Sequence, residues 1–162
     1  MSAFVLRPLG AADAAGVARH VAEQWGSEIA VAHGAIYRPA ELPGFVAEDE
    51  GEALGLLTYH IDGGACEIVT LDSQRAGQGI GAALIEAAED AARQAGCRRL
   101  WLITTNDNTH ALRFYQKRGF CLVAVHRDAV AASRAIKPEI PLIGNDGIPI
   151  RDEVELEMSL FE

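Results

Sequence analysis

The chain has 162 residues, 49% of them hydrophobic, and a formal net charge of −9. That length suits one domain spanning residues 1–162 and is enough to bury a core without disulfide staples. The acidic balance repels phosphate backbones, which argues against nucleic acid and mildly favours cationic small molecules. No run approaches the roughly 18–20 apolar residues of a membrane helix, so the expectation is a cytoplasmic protein with no membrane partner.

Met1 to Pro8 lacks the basic-then-apolar order of a signal peptide. Phe4 to Pro8 reads as a first strand, and Asp13 to His20 as a helix with Ala14, Val17, Ala18 and Val21 at helical spacing. Glu23 to Pro43 reads as irregular and carries Trp25, His33, Tyr37 and Arg38. Gly44 to Glu48 and Ala53 to Ile61 flank an acidic turn bearing Gly51, the pattern of a β-hairpin. Cys66 to Leu71 is the next strand. Cys66, Cys97 and Cys121 form no CxxC pair and sit in apolar runs, so they read as reduced core thiols. The five histidines show no ligand spacing, and no metal is expected.

Gly79 to Ala95 reads as an amphipathic helix, with Gly96 placed to end it. Arg98 to Thr105 is a strand. Asn108 or Thr109 can cap a helix running to about Arg118, which Gly119 terminates, and Phe120 to Val125 is a further strand. This strand–helix alternation argues an α/β or mixed α+β sheet with at least one parallel pair. Arg127 to Ala135 suits a short helix. Lys137 to Pro149, with three prolines, reads as an ordered loop, and the alternation of Val154 to Leu160 marks a half-buried closing strand.

Chemistry concentrates in Leu71-Asp72-Ser73-Gln74-Arg75-Ala76-Gly77-Gln78-Gly79-Ile80-Gly81-Ala82, which links a strand to a helix start. The first amides of a helix lack internal partners and carry the positive end of its dipole. Glycines there let a bulky anion approach the main chain, so the turn is a phosphate cradle. A P-loop fails because Ala82-Ala83 follows Gly81 where Lys-Ser or Lys-Thr is required. The same glycines fit the G-x-G-x-x-A of a nicotinamide-dinucleotide fold. However, about seventy residues precede them, and Thr104-Thr105-Asn106 stand where the ribose-binding acid belongs.

From Glu67-Ile68-Val69-Thr70-Leu71 through Gly77 to Ile85, then Leu100-Trp101-Leu102, and on to Ala111-Leu112-Arg113-Phe114-Tyr115 and Gly119-Phe120, the chain resembles the GNAT N-acetyltransferase superfamily. The resemblance spans roughly Phe45 to Val125. One departure is Ala76, which stands where the family turn has Arg or Gln if the register is counted from Gly79. Gln74 satisfies the pattern two residues earlier, and Arg75 can supply charge.

The resemblance implies a central mixed sheet of six to seven strands, its middle parallel pair splayed, with helices on both faces. It implies acetyl-CoA as co-substrate, with pantetheine along Val69, Thr70 and Leu71 and the pyrophosphate on Gln74, Arg75, Ala76, Gly77, Gln78, Gly79, Ile80 and Gly81. Direct attack by an amine on the thioester would follow, the acceptor being a small molecule or a peptide or protein amine. Tyr115 stands where the family places the thiolate's proton donor; the alternative is a core aromatic sharing a helix face with Leu112. Glu67 is the candidate base, on a strand face expected to hold Val69 and Leu71 as well. The alternative is a carboxylate paired with a basic neighbour. Asn106 and Asn108 are candidate cofactor contacts, Asn108 equally a helix cap. Glu23 to Pro43 and His126 to Asp152 would build the acceptor site, with Trp25, Tyr37, Arg38, Lys137 and Asp146 as wall residues. Free strand edges admit a homodimer. The rival readings are an acyl-CoA-binding module without catalysis and a nicotinamide-nucleotide-binding protein.

Overall fold

The computed structural model describes residues 4–74 and 77–161. Arg75 and Ala76, both expected in the phosphate cradle, lie outside the described residues. In chain order the elements are β1 (Val5–Pro8), α1 (Ala14–Trp25), β2 (Ala30–Ala32), β3 (Ala35–Tyr37), β4 (Gly44–Asp49), β5 (Glu52–Asp62), β6 (Ala65–Ser73), α2 (Ile80–Gln94), β7 (Arg99–Thr105), α3 (Thr109–Lys117), β8 (Cys121–His126), α4 (Val130–Ile136) and β9 (Glu153–Ser159). Short 3₁₀ turns occupy Ala11–Asp13, Pro39–Glu41 and Asn145–Gly147.

The described residues form a seven-stranded sheet in the order β1-β4-β5-β6-β7-β9-β8, with β2 and β3 paired as a separate hairpin. All ladders are antiparallel except β6–β7. The closing strand β9 therefore inserts between β7 and β8, a long-range pairing that local periodicity does not encode.

Two layers cover the sheet. Leu57, Cys66, Ile68, Leu100 and Leu156 join Ile80, Leu84, Ala88 and Ala92 of α2 in the main core. Gly55 permits this close packing: a Cβ there would lie 2.6 Å from Ile80 Cγ2 and 3.1 Å from Leu84 Cδ1. On the other face, Leu56 packs with Val17 and Val21 of α1. Neighbouring residues of one strand thus meet different helices, as side-chain alternation requires.

Residues 23–43 are more ordered than expected. α1 runs one turn further, to Trp25, and β2 and β3 form a hairpin whose two-residue turn, His33 and Gly34, has φ of 43° and 77°. Positive φ at both central positions is the type I′ geometry that matches strand twist. Three-residue strands are too short to show a period, which is why the sequence pattern missed them. Cys66 and Cys97 are buried thiols, but Cys121 is exposed on the edge strand β8, so it is not a core thiol.

At the N-terminus, Arg7 binds Asp13 (2.8 and 2.9 Å) and Glu48 (2.6 Å), tying β1 to the turn that starts α1. The Arg7 guanidinium, with the Gly10 amide, holds the Asp13 carboxyl well below the usual carboxylate range. A carboxyl depressed by folding stabilises the native state above its unfolded value near about pH 4 and loses that contribution as pH falls. Asp13→Asn should therefore flatten the fall of Tm between pH 6 and pH 3, as measured by calorimetry, while lowering Tm slightly at pH 7.

Candidate functional site

The parallel ladder between β6 and β7 consists of Ala65↔Arg99, Cys66↔Leu100 and Glu67↔Trp101 among the described residues. Beyond Glu67 the two strands part. β6 stays paired to β5 as far as Ser73, and β7 stays paired to β9 as far as Thr105. The facing edges of residues 68–73 and 102–105 therefore border an interior gap. Unpaired strand-edge amides and carbonyls require partners, and an extended amide-bearing ligand supplies them.

The β5–β6 register shifts at the same place, from Tyr59↔Ile68 to Thr58↔Thr70. Val69 is the extra residue of a β-bulge. It reverses the alternation: Cys66, Ile68 and Leu71 face α2, whereas Glu67, Thr70 and Asp72 face the other side. Glu67 therefore does not share a face with Leu71, as a strict two-residue period would require. The bulge re-aims side chains and main chain at the mouth of the gap.

At the end of β6, Gly77 and Gly79 have φ of 79° and 77°, and an added Cβ at either would meet nothing among the described residues within 4 Å. Gly79 is the N-cap of α2, and the first intrahelical bond is Ala83 N–H to Gly79 O at 3.0 Å. The Ile80, Gly81 and Ala82 amides precede it and, as the first amides of a helix, have no intrahelical partner. Gly81 has a different role: its Cβ would come within 2.9 Å of Phe114 Cζ, so its smallness seats α3 on α2. Gln74 caps the strand end, donating to Asp72 Oδ2 at 2.7 Å, and Gln78 is exposed on the turn. An open, amide-lined turn beside a split strand pair fits an elongated ligand that ends in phosphates.

Glu67 is 3% exposed. Its Oε1 accepts from the Tyr37 hydroxyl at 2.6 Å, and its Oε2 lies 2.9 Å from His33 Nε2. Both partners come from the β2–β3 hairpin, which lies over this face. Burial, then the hydrogen bond to Glu67, pushes the Tyr37 hydroxyl well up, so it remains a donor. The His33 ring rests 5.3 Å from the Trp101 ring, and Tyr37 lies 5.3 Å from His60. Each carboxylate oxygen has a second lone pair, so Glu67 keeps acceptor capacity for an incoming N–H. The expectation of a basic neighbour is met by His33 alongside any chemistry. Tyr37 was among the expected wall residues. His33 was not: His-Gly is outside the usual two-residue hairpin pairs, and the flanking strands are only three residues long.

The other expected residues separate. Tyr115 is buried between the Phe114 and Phe120 rings, and burial holds its hydroxyl protonated far above the usual tyrosine range. Asn108 caps α3 through Ala111 N–H (3.3 Å) and donates to Thr104 Oγ1 (3.1 Å). Asn106 is engaged at both ends, donating to Pro149 O and accepting from the Arg151 and Asp152 amides, which pins the loop before β9. Thr70 pairs with Thr58 at 2.7 Å in the interior. Lys137 is buried and donates to Ile29 O at 3.1 Å; burial lowers its pKa. Trp25, Arg38 and Asp146 are exposed. A cleft of about 520 Å³ lies apart from Glu67, between α1 and β4–β6. Three of its carboxylates are already engaged, Asp13 and Glu48 by Arg7 and Asp72 by His20 at 2.7 Å.

Comparison with known proteins agrees with this geometry. The profile of the Acetyltransferase (GNAT) family matches residues 16–120. The uncharacterized protein YdhI of Bacillus subtilis is 48% identical over 145 residues, covering 85% of this chain and 90% of YdhI. YxbD of the same organism, also uncharacterized, is 47% identical over 139 residues, covering 85% of this chain and 87% of its own. Among solved structures, the IAA acetyltransferase of Bacillus cereus superposes with a TM-score of 0.71 at 21% identity, over 96% of this chain and 99% of that one. A GNAT family acetyltransferase from Elizabethkingia anophelis with acetyl-CoA bound gives 0.68 at 20% identity, over 98% and 99%. Since the family profile spans more than half of the chain, the chain belongs to the Acetyltransferase (GNAT) family.

Proposed function

We propose that this protein is an acetyl-CoA-dependent N-acetyltransferase acting on a primary amine by direct attack in a ternary complex. The observation that carries this reading is the gap between residues 68–73 and 102–105, with a buried carboxylate at one end and the N-terminus of α2 at the other. The main chain of Val69, Thr70 and Leu71 would pair with the pantetheine amides. The Gly77–Gly81 turn would hold the pyrophosphate, with Gln74 at its edge. The co-substrate supplies an activated acetyl group.

The chain's own residues then have distinct tasks. Glu67 takes a proton from the acceptor ammonium, and Tyr37 keeps that carboxylate oriented. Tyr115 gives its proton to the departing sulfur. Nitrogen replaces sulfur on the acetyl carbon and sheds its second proton, which restores the Tyr115 hydroxyl, so an amide and a free thiol form and the proton held by Glu67 is the one net proton left for the solvent. Holding both reactants in one gap removes much of the entropic barrier. The carboxylate at the site and the acidic surface favour cationic acceptors.

The test is calorimetric titration with acetyl-CoA and, in parallel, NAD(H). Thiol release is then followed with a series of primary amines, from alkyl diamines to peptides with free N-termini. Saturable acetyl-CoA binding with thiol release supports the reading; binding of NAD(H) alone overturns it. Tyr115→Phe removes only a hydroxyl from a packed ring. It should lower kcat by roughly 10²-fold, the scale of a lost general acid, and leave acetyl-CoA affinity unchanged. An unaltered kcat would remove Tyr115 from the mechanism.

A further inference from the structure

A buried base needs a route for its proton. Glu67 has a side chain 4% exposed, whereas the side chain of His33, 2.9 Å away, is 31% exposed. His33 thus bridges an enclosed carboxylate and the solvent. Its position is tightly built. It occupies a positive-φ turn site (φ 43°), its backbone amide donates to both oxygens of buried Glu153 at 3.1 and 3.2 Å, and Ser133 Oγ donates to the same carboxylate at 3.3 Å. The Trp101 ring lies beside the imidazole at 5.3 Å. The type I′ turn and the buried Glu153 carboxylate that anchors its backbone together fix His33 Nε2 on Glu67.

We propose that His33 is the proton outlet of the Glu67 site: the proton that Glu67 takes from the acceptor ammonium passes to His33 Nε2, and the imidazole releases one from Nδ1 to water. The inference rests on the reading of Glu67 as the base. Each turnover leaves one proton and a neutral imidazole in its Nε2–H tautomer; exchange with solvent at the exposed ring restores the Nδ1–H tautomer before the next proton arrives. Histidine suits the task because one ring nitrogen can accept a proton while the other donates one. The titratable groups around it are Glu67 from β6, Tyr37 from β3 and Glu153 from β9; His60 stands behind Tyr37, and Arg99 lies over the Trp101 ring at 4.6 Å. His33 acts through Glu67 and so serves as a relay, distinct from the groups that touch substrate.

The experiment compares His33→Asn and Glu67→Gln with the wild type, using acetyl-CoA and the primary amine series as probes. Asparagine tolerates the positive φ, so the hairpin is kept. His33→Asn should lower kcat about tenfold or more without changing the acetyl-CoA KM, should alter the pH–rate profile around neutrality, and should regain rate with added imidazole, to which the wild type is insensitive. A His33→Asn loss with an unchanged pH profile and no imidazole rescue would mean that His33 only positions Glu67, and would overturn the outlet. A full rate in His33→Asn beside a depressed Glu67→Gln would overturn the outlet and leave the base standing. A full rate in Glu67→Gln, or no turnover by the wild type with any amine, would overturn the underlying reading and the outlet with it.

Discussion

Glu67→Gln is expected to lower turnover at pH 7 by roughly 10²–10⁴-fold, the range for a lost general base, with acetyl-CoA binding intact. The amide matches the carboxylate in shape and still accepts the Tyr37 hydrogen bond, so the hairpin keeps its seat on the sheet. What is lost is the capacity to take a proton from an acceptor ammonium. That loss has a pH signature with a definite sign. As pH rises toward the acceptor's own pKa, the amine reaches the site already neutral, and the variant should gain about tenfold in rate per pH unit, closing on the wild type. A rate–pH series from 6 to 10 on both proteins reads this directly. A deficit that stays constant across the series would assign Glu67 a structural role at the mouth of the gap and would exclude it as the base.

Gly79→Val should weaken acetyl-CoA binding by about 100-fold or more, equivalent to about 2.7 kcal/mol. Gly79 caps α2 at φ 77°, a conformation that β-branched residues resist most strongly. The strain costs on the order of 1–3 kcal/mol. The variant either keeps the turn at that cost in stability or relaxes it and moves the Ile80–Ala82 amides. Among the described residues no atom lies within 4 Å of the added Cβ, so its methyls would crowd the turn proposed to hold the phosphates. Calorimetric titration gives the affinity, and thermal unfolding the strain. Gly79→Asn, which accepts positive φ, should unfold nearer to the wild-type temperature while still crowding the turn. If Gly79→Val binds acetyl-CoA at wild-type affinity, the phosphates lie elsewhere.

Residue patterns carried much of this protein in advance. The helix from Ile80 to Gln94, the strand from Arg99 to Thr105, the Asn108 cap, the Gly119 stop and the alternating strand at the C-terminus are all local features. Each is written in a spacing of 2.0 or 3.6 residues or in a single capping or terminating residue. The glycine turn was legible for the same reason, since cap geometry and amide exposure follow from a few consecutive residues.

The Glu67 site was not legible in that way. Glu67 meets Tyr37 and His33, which lie 30 and 34 positions away in the chain, and His33 is held by Glu153, 120 positions away. No local spacing encodes such meetings; they exist because β9 inserts between β7 and β8 and the hairpin folds over the sheet. The Val69 bulge is likewise a property of the paired strands, and it reversed a face assignment made from period alone. The sequence by itself determined the longer strands and helices, the Asn108 cap and the glycine turn, because these are set by neighbours along the chain. Only the tertiary structure decided where the parallel strands part and which side chains surround the carboxylate there. Strand order, register and packing are settled by burial among residues distant in sequence.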